Sequence, residues 1–212
     1  MRQAHDASSQ ATIDPARAIA LLKEGNARFL DAKGADRNLL QQVDETSGGQ
    51  WPFAAVLGCI DSRVSAELVF DQGIGDLFSV RIAGNFANAD ILGSLEFACK
   101  VAGSKVIVVL GHSSCGAVKG ACDSVELGNL TQMLGKLKPA VDSVAEPSDP
   151  SERGSHNAAF VQAVAEANVG ATIEHILAES EVLREMKEAG EIDVVGAMYD
   201  VASGRVDFMD RG

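Results

Sequence analysis

Two short stretches of this 212-residue chain could do chemistry: Cys59-Ile60-Asp61-Ser62-Arg63 and Gly111-His112-Ser113-Ser114-Cys115-Gly116. Two thiols and an imidazole form a soft nitrogen–sulfur donor set of the kind that suits Zn2+. With Cys59, His112 and Cys115 as ligands, the fourth tetrahedral position stays open, as in a catalytic rather than a structural zinc. Asp61 and Arg63 lie two residues apart, so in an extended turn they point the same way and can pair. Arg63 would then keep Asp61 ionised and aimed as a hydrogen-bond acceptor beside the metal. Gly116 opens a helix, whose free N–H groups and positive dipole end favour an anion.

Plainer readings stand beside these. A buried cysteine is usually a small hydrophobe, a lone His-x-x-Cys means little, and an Asp–Arg pair often just finishes a strand. The other cysteines show what that looks like: Cys99 sits among Phe97, Ala98 and Val101, and Cys122 lies on a helical face without a histidine partner. His5, His156 and His175 have no thiol or second histidine at ligand spacing and read as surface residues. No Cys-x-x-Cys pair supports a redox or zinc-ribbon site. Gly73-Ile74-Gly75 lacks the third glycine of a dinucleotide fingerprint, and residues 111–116 miss the serine-hydrolase spacing. What favours a metal is convergence, and that depends on the elements that carry these residues.

Those elements read as an α/β fold. Residues 54–59, 77–84, 105–112 and 192–200 are continuous apolar runs, expected as strands of a mostly parallel sheet buried on both faces. Residues 205–210 alternate better and follow a turn, which predicts an antiparallel edge strand. Helices are expected at 15–30, where Asp14 caps and Pro15 suits the first position, and at 36–46, 64–70, 89–102, 115–127, 130–145, 151–168 and 170–189. Strands alternating with helices imply crossover connections. The expected organisation is a single domain, with residues 1–48 as a helical arm and 49–212 as the α/β core. If the strands ending at residues 59 and 112 are neighbours, Cys59, His112 and Cys115 meet at one sheet edge, where ligands gather in open parallel sheets.

Composition narrows the function. Lys and Arg total 18 against 30 Asp and Glu, a formal charge of −12, and no basic run offsets it, so a nucleic-acid surface is not expected. No apolar stretch approaches the ~20 residues of a membrane span. The N-terminal segment lacks the apolar core of a secretory signal. Free or metal-bound thiols in the cytoplasm are therefore expected.

The motifs CIDSRV and GHSSCGAVKG, with RIAGN at 81–85 and VGAMYD at 195–200, closely resemble the β-class carbonic anhydrases. In that family the first motif usually reads C-S-D-S-R. The resemblance runs from about Pro15 to Phe208. It implies one Zn2+ per chain on Cys59, His112 and Cys115, with Asp61 and Arg63 as a catalytic dyad that orients a zinc-bound hydroxide. It also implies reversible hydration of CO2 to bicarbonate and a proton, in a homodimer or homotetramer. Gln50 matches a bicarbonate-binding glutamine of plant-type members, and Phe78 an aromatic wall of the substrate pocket. Phe97 falls where those members carry tyrosine, and Ile60 replaces the usual serine. Some bacterial members close the site by placing the dyad aspartate on zinc. The second bicarbonate site that controls this uses a tryptophan where this chain has Val56, though its arginine and tyrosine match Arg81 and Tyr199. The expectation is therefore an open site with Asp61 held by Arg63. Alternatives are hydrolysis of carbonyl sulfide or carbon disulfide at the same zinc, or a zinc- or bicarbonate-binding module without turnover.

Overall fold

The apolar runs form the sheet. In a computed structural model, which describes residues 3–209, the strands are β1 (Ala54–Gly58), β2 (Leu77–Arg81), β3 (Val106–His112), β4 (Asp193–Tyr199) and β5 (Val206–Phe208). Their order is β2-β1-β3-β4-β5, parallel except for the last pair. Every residue of β1, β3 and β4 is buried, as two-sided coverage by helices requires, whereas β2 is an edge strand and half-exposed. The chain leaves β1 toward β2 and then crosses to β3 on the other side of β1. The strand order thus switches between β1 and β3, the place where ligands gather at the carboxyl ends of strands in open parallel sheets.

The helices are α1 (Ala7–Ala11), α2 (Pro15–Leu30), α3 (Leu39–Thr46), α4 (Ala66–Val69), α5 (Ala89–Glu96), α6 (Gly116–Cys122), α7 (Gly128–Gly135), α8 (Lys138–Ser143), α9 (Ala158–Glu179) and α10 (Glu181–Glu188). Helix α2 starts as its sequence dictates: the Asp14 side chain accepts from the Arg17 N–H and Pro15 occupies the first turn. One face of the sheet packs on α2 and α4 through Ala18, Leu22, Val56, Val69 and Phe70, and the other on α6, α9 and α10 through Leu57, Val109, Val164 and Leu183. Among the described residues no helix is long and apolar enough to cross a membrane.

Several helices differ from expectation. The two helices expected at 151–168 and 170–189 are instead α9 and α10, with no break at residue 169. One interior glycine costs a helix only about 1 kcal/mol, and the buried face Val164, Ala165, Val169, Thr172 and Ile176 continues across Gly170. The break falls at Ser180, whose hydroxyl accepts from the Leu183 N–H to start α10. The helix expected at 130–145 is interrupted at Lys136-Leu137. The one expected at 89–102 ends its α-helical part at Glu96 and continues as a π-turn, Phe97–Val101, that stops at Gly103, where φ is +81°. Helix α1 was not expected. Its signal is a capping box formed by Asp6 and Ser9, and Gln10 ties it down by donating to the Pro52 and Ala102 carbonyls, both at 2.8 Å. The edge strand is shorter than predicted, and Asp210, its expected last residue, lies outside the described residues.

Between α2 and α3 the chain is pinned to the core by Asp71. Its carboxylate takes Arg28 Nε at 2.5 Å, the Ala35 N–H at 3.1 Å and the Arg37 guanidinium. Asp71 has φ +44°, a conformation that aspartate tolerates better than most residues.

Candidate metal centre

Cys59 follows β1 directly, His112 is the last residue of β3, and Cys115 caps α6. The register that sets Gly58 opposite Leu110 brings these strand ends together. The two Sγ atoms and an imidazole nitrogen all lie within 4.8 Å of one another, and none of the three residues exceeds 3% exposure. His112 is aimed by its backbone: Nδ1 lies 3.0 Å from the Ser113 carbonyl. A proton on Nδ1 donates there and leaves the Nε2 lone pair free. Nε2 is buried without a hydrogen-bond partner, and such an orphan calls for an explanation.

The thiols are electrostatically unlike. The Cys59 thiol is pulled well below its ordinary range, first by a hydrogen bond from Cys115, with help from His112 and the Gly84 N–H and against the cost of burial. Cys115 is pushed up by that same bond to Cys59 and by burial. Two sulfurs thus face an imidazole nitrogen in the place where a soft cation would sit. These residues fit zinc. Cys99 offers the contrast: burial alone pushes its thiol up to about 12, as for an inert core residue. The Cys122 thiol is raised by burial too.

Asp61 and Arg63 form a two-pronged ion pair, Nε to Oδ1 at 2.9 Å and Nη2 to Oδ2 at 2.6 Å, and the Arg63 N–H also donates to Oδ1 at 3.0 Å. The Arg63 bond holds the Asp61 carboxyl well below the usual carboxylate range. Asp61 Oδ2 lies 3.9 Å from His112 Nε2, so the carboxylate borders the cluster while bound to Arg63. Arg81 braces this loop from β2 by donating to the Cys59 carbonyl at 2.8 Å and the Asp61 carbonyl at 2.6 Å. That bracing was not expected from sequence.

The remaining expected residues lie farther out. Phe78 and Phe97 meet edge to face with ring centroids 6.1 Å apart, and with Arg81 and Ser94 they line an open cavity of about 760 Å3 along the β2 edge. Gly116 opens α6 with free space where a Cβ would point. Gln50 precedes the amino end of β1, whereas Cys59 follows its carboxyl end, so the strand's length of roughly 16 Å separates them within one chain. There Gln50 lines a cavity of about 410 Å3 with Thr46, Gly48 and Gly75. His156 and His175 are exposed as expected. His5 is not a free surface residue: its ring packs edge to face on Phe53 at 5.5 Å.

Residues 54–206 match the carbonic anhydrase family. The chain is 38% identical to carbonic anhydrase 2 of Mycobacterium tuberculosis over 93% of its own length and 94% of that protein's. It is 36% identical to a carbonic anhydrase of Mycolicibacterium smegmatis, over 92% and 93% of the two chains. Among solved structures it is similar to tetrameric β-carbonic anhydrases of Sordaria macrospora, with a TM-score of 0.68 and 26% identity over 80% of this chain and 86% of that one. A β-carbonic anhydrase of Aspergillus fumigatus gives a TM-score of 0.68 at 27% identity, over 92% and 90% of the two chains.

Proposed function

The chain belongs to the β-class carbonic anhydrases, enzymes that hydrate CO2 reversibly, and from that premise we propose that it performs this reaction with one zinc held by Cys59, His112 and Cys115. The observation that carries the proposal is the buried convergence of two thiols on the unpartnered His112 Nε2. Zinc in such a site lowers the pKa of water and so supplies a nucleophile near neutral pH.

The chain's own residues do the rest. Asp61 accepts a hydrogen bond from the attacking water and fixes the direction of its lone pair toward CO2. Arg63 holds that carboxylate ionised and in place, and the two-pronged pairing supports Asp61 staying on Arg63 at neutral and alkaline pH. Phe78 and Phe97 wall the apolar side of the pocket, where a molecule without hydrogen-bond donors is held by shape and dispersion. Gln50 and the Gly116 N–H hold the bicarbonate oxygens. Gln50, a strand's length from the cluster of its own chain, does so for a second copy, so the working unit is a homodimer or a homotetramer. The half-exposed β2 edge and the tetrameric Sordaria relatives support that assembly.

Stopped-flow CO2 hydration on zinc-replete and chelator-treated protein tests the reading. Turnover should vanish with zinc and return with it. Full turnover by metal-free protein overturns it, as does zinc-loaded protein that consumes carbonyl sulfide but not CO2.

A further inference from the structure

Residues 82–85 form a turn closed by the Asn85 N–H on the Ile82 carbonyl at 3.0 Å, and its third residue, Gly84, has φ +81°. That is the signature of a type II turn. Types I and II differ by a flip of the central peptide, and type II favours glycine at the third position. Here the central peptide carries the Gly84 N–H, which lies 3.4 Å from Cys59 Sγ. Whether this sulfur receives a hydrogen bond therefore depends on which way one peptide faces.

The turn is held from two more sides. A Cβ at Gly84 would sit 2.7 Å from Leu137 Cδ1, so the backbone is packed as closely as a glycine permits. The Gly84 carbonyl accepts from Asn168 Nδ2 at 2.8 Å. Asn168 is 3% exposed on the face of α9 that otherwise buries Val161, Val164, Ala165 and Val169. An amide among such neighbours costs stability unless it is bonded. With the Gly84 carbonyl held by Asn168 and the Asn85 N–H held by Ile82, the following peptide is fixed at both edges. The Gly84 φ of +81° turns the central peptide's N–H toward Cys59, and Asn168 holds the carbonyl of that same residue in place.

We propose that Asn168 is a positioning residue of the metal centre, locking the Gly84 turn so that its N–H donates to the Cys59 sulfur. It neither touches substrate nor ligates. It sets the direction and donor strength of the first ligand from a helix that the metal motifs do not include. The proposal rests on the reading that Cys59, His112 and Cys115 hold zinc.

The test uses Asn168→Ala in zinc- and cobalt-loaded protein. Zinc affinity by chelator competition should fall about tenfold or more, the usual scale for an outer partner of a metal ligand. The thiolate-to-cobalt absorption band should move to longer wavelength, because a sulfur relieved of an N–H donor gives up an electron more easily. A folded variant with unchanged affinity and an unchanged band overturns the proposal, even if its melting temperature drops. Wild-type protein that binds no zinc instead overturns the metal site itself. If the variant does not fold, wild-type protein loaded with cadmium-113 decides by NMR. Coupling from the metal to the Gly84 amide proton, together with coupling from the Asn168 side-chain nitrogen to the Gly84 carbonyl carbon, supports the proposal. Absence of either overturns it.

Discussion

Asp61 and Asp71 stand ten residues apart, both bound to arginine and both with carboxyls held below their ordinary range, yet they are built for different ends. A carboxylate offers about four acceptor positions. At Asp71 two arginines and the Ala35 N–H, which reaches both oxygens, fill them, and the Arg28 and Arg37 guanidiniums also take the Asp71 carbonyl. At Asp61 a single arginine residue supplies every hydrogen bond to the carboxylate among the described residues, and Oδ2 accepts only from Arg63 Nη2 while it faces His112. One pair is closed and ties an arm to a core. The other keeps a position open beside three soft donors. The pair alone does not announce function; the unfilled valence does.

Substitutions should separate the two carboxylates by what they damage. The largest loss belongs to the neighbouring ligand: Cys59→Ser should reduce zinc from about one per chain to background by elemental analysis, and abolish CO2 hydration with it. Next, Asp61→Asn should keep zinc and stay within a few degrees of the wild-type melting temperature, because Arg63 is 50% exposed and such pairs contribute about 0–1 kcal/mol. Its turnover should fall on the order of 10²–10³-fold, as when an oriented polar group is removed. A fully active Asp61→Asn enzyme would make this pair as structural as the other.

Asp71→Asn should do the reverse. It leaves two guanidiniums without their anion, Arg37 only 8% and Arg28 28% exposed. Breaking a buried pair costs about 3–5 kcal/mol; partial exposure of Arg28 brings the expected loss to about 2–3 kcal/mol, readable by chemical denaturation, with zinc retained.

The smallest effect is the pH dependence of that loss. Burial opposes ionisation of Asp71, but Arg37 and Arg28 outweigh it and hold the folded-state value below the unfolded one. The stabilisation is therefore complete above the unfolded value of about 3.9 and fades as pH falls below it toward the folded-state value. Denaturation midpoints of wild type and Asp71→Asn should stay a constant distance apart at neutral pH and converge in acid. A gap that stays constant through the acid range, with no convergence, would show that the loss does not come from the charge of the carboxylate.

The cluster of Cys59, His112 and Cys115, the Asp61–Arg63 pairing and the parallel sheet were legible because each is local: a donor at the end of an apolar run, a charge two residues from its partner, a strand long enough to read. The Asp71 clamp was not, since its arginines lie 43 and 34 residues away with no pattern linking them. Nor was Asn168, an ordinary polar residue on a long helix until Gly84 is seen beside it. The π-turn at Phe97 and the unbroken α9 failed for a related reason: helix propensity is a weak local preference, and packing along the sheet decided where each helix continued.

The pairing of β3 with β4 also ties the metal centre to the far end of the chain. His112 takes its aim from the Ser113 carbonyl. Ser113 is held in turn by the Tyr199 carbonyl and by Asp200, 87 residues later in the chain. The aim of His112 therefore depends on the last strand of the parallel core being in place. A small zinc finger folds around its metal; here the socket formed by Cys59, His112 and Cys115 is finished by the far end of the chain, through the pairing of β3 with β4.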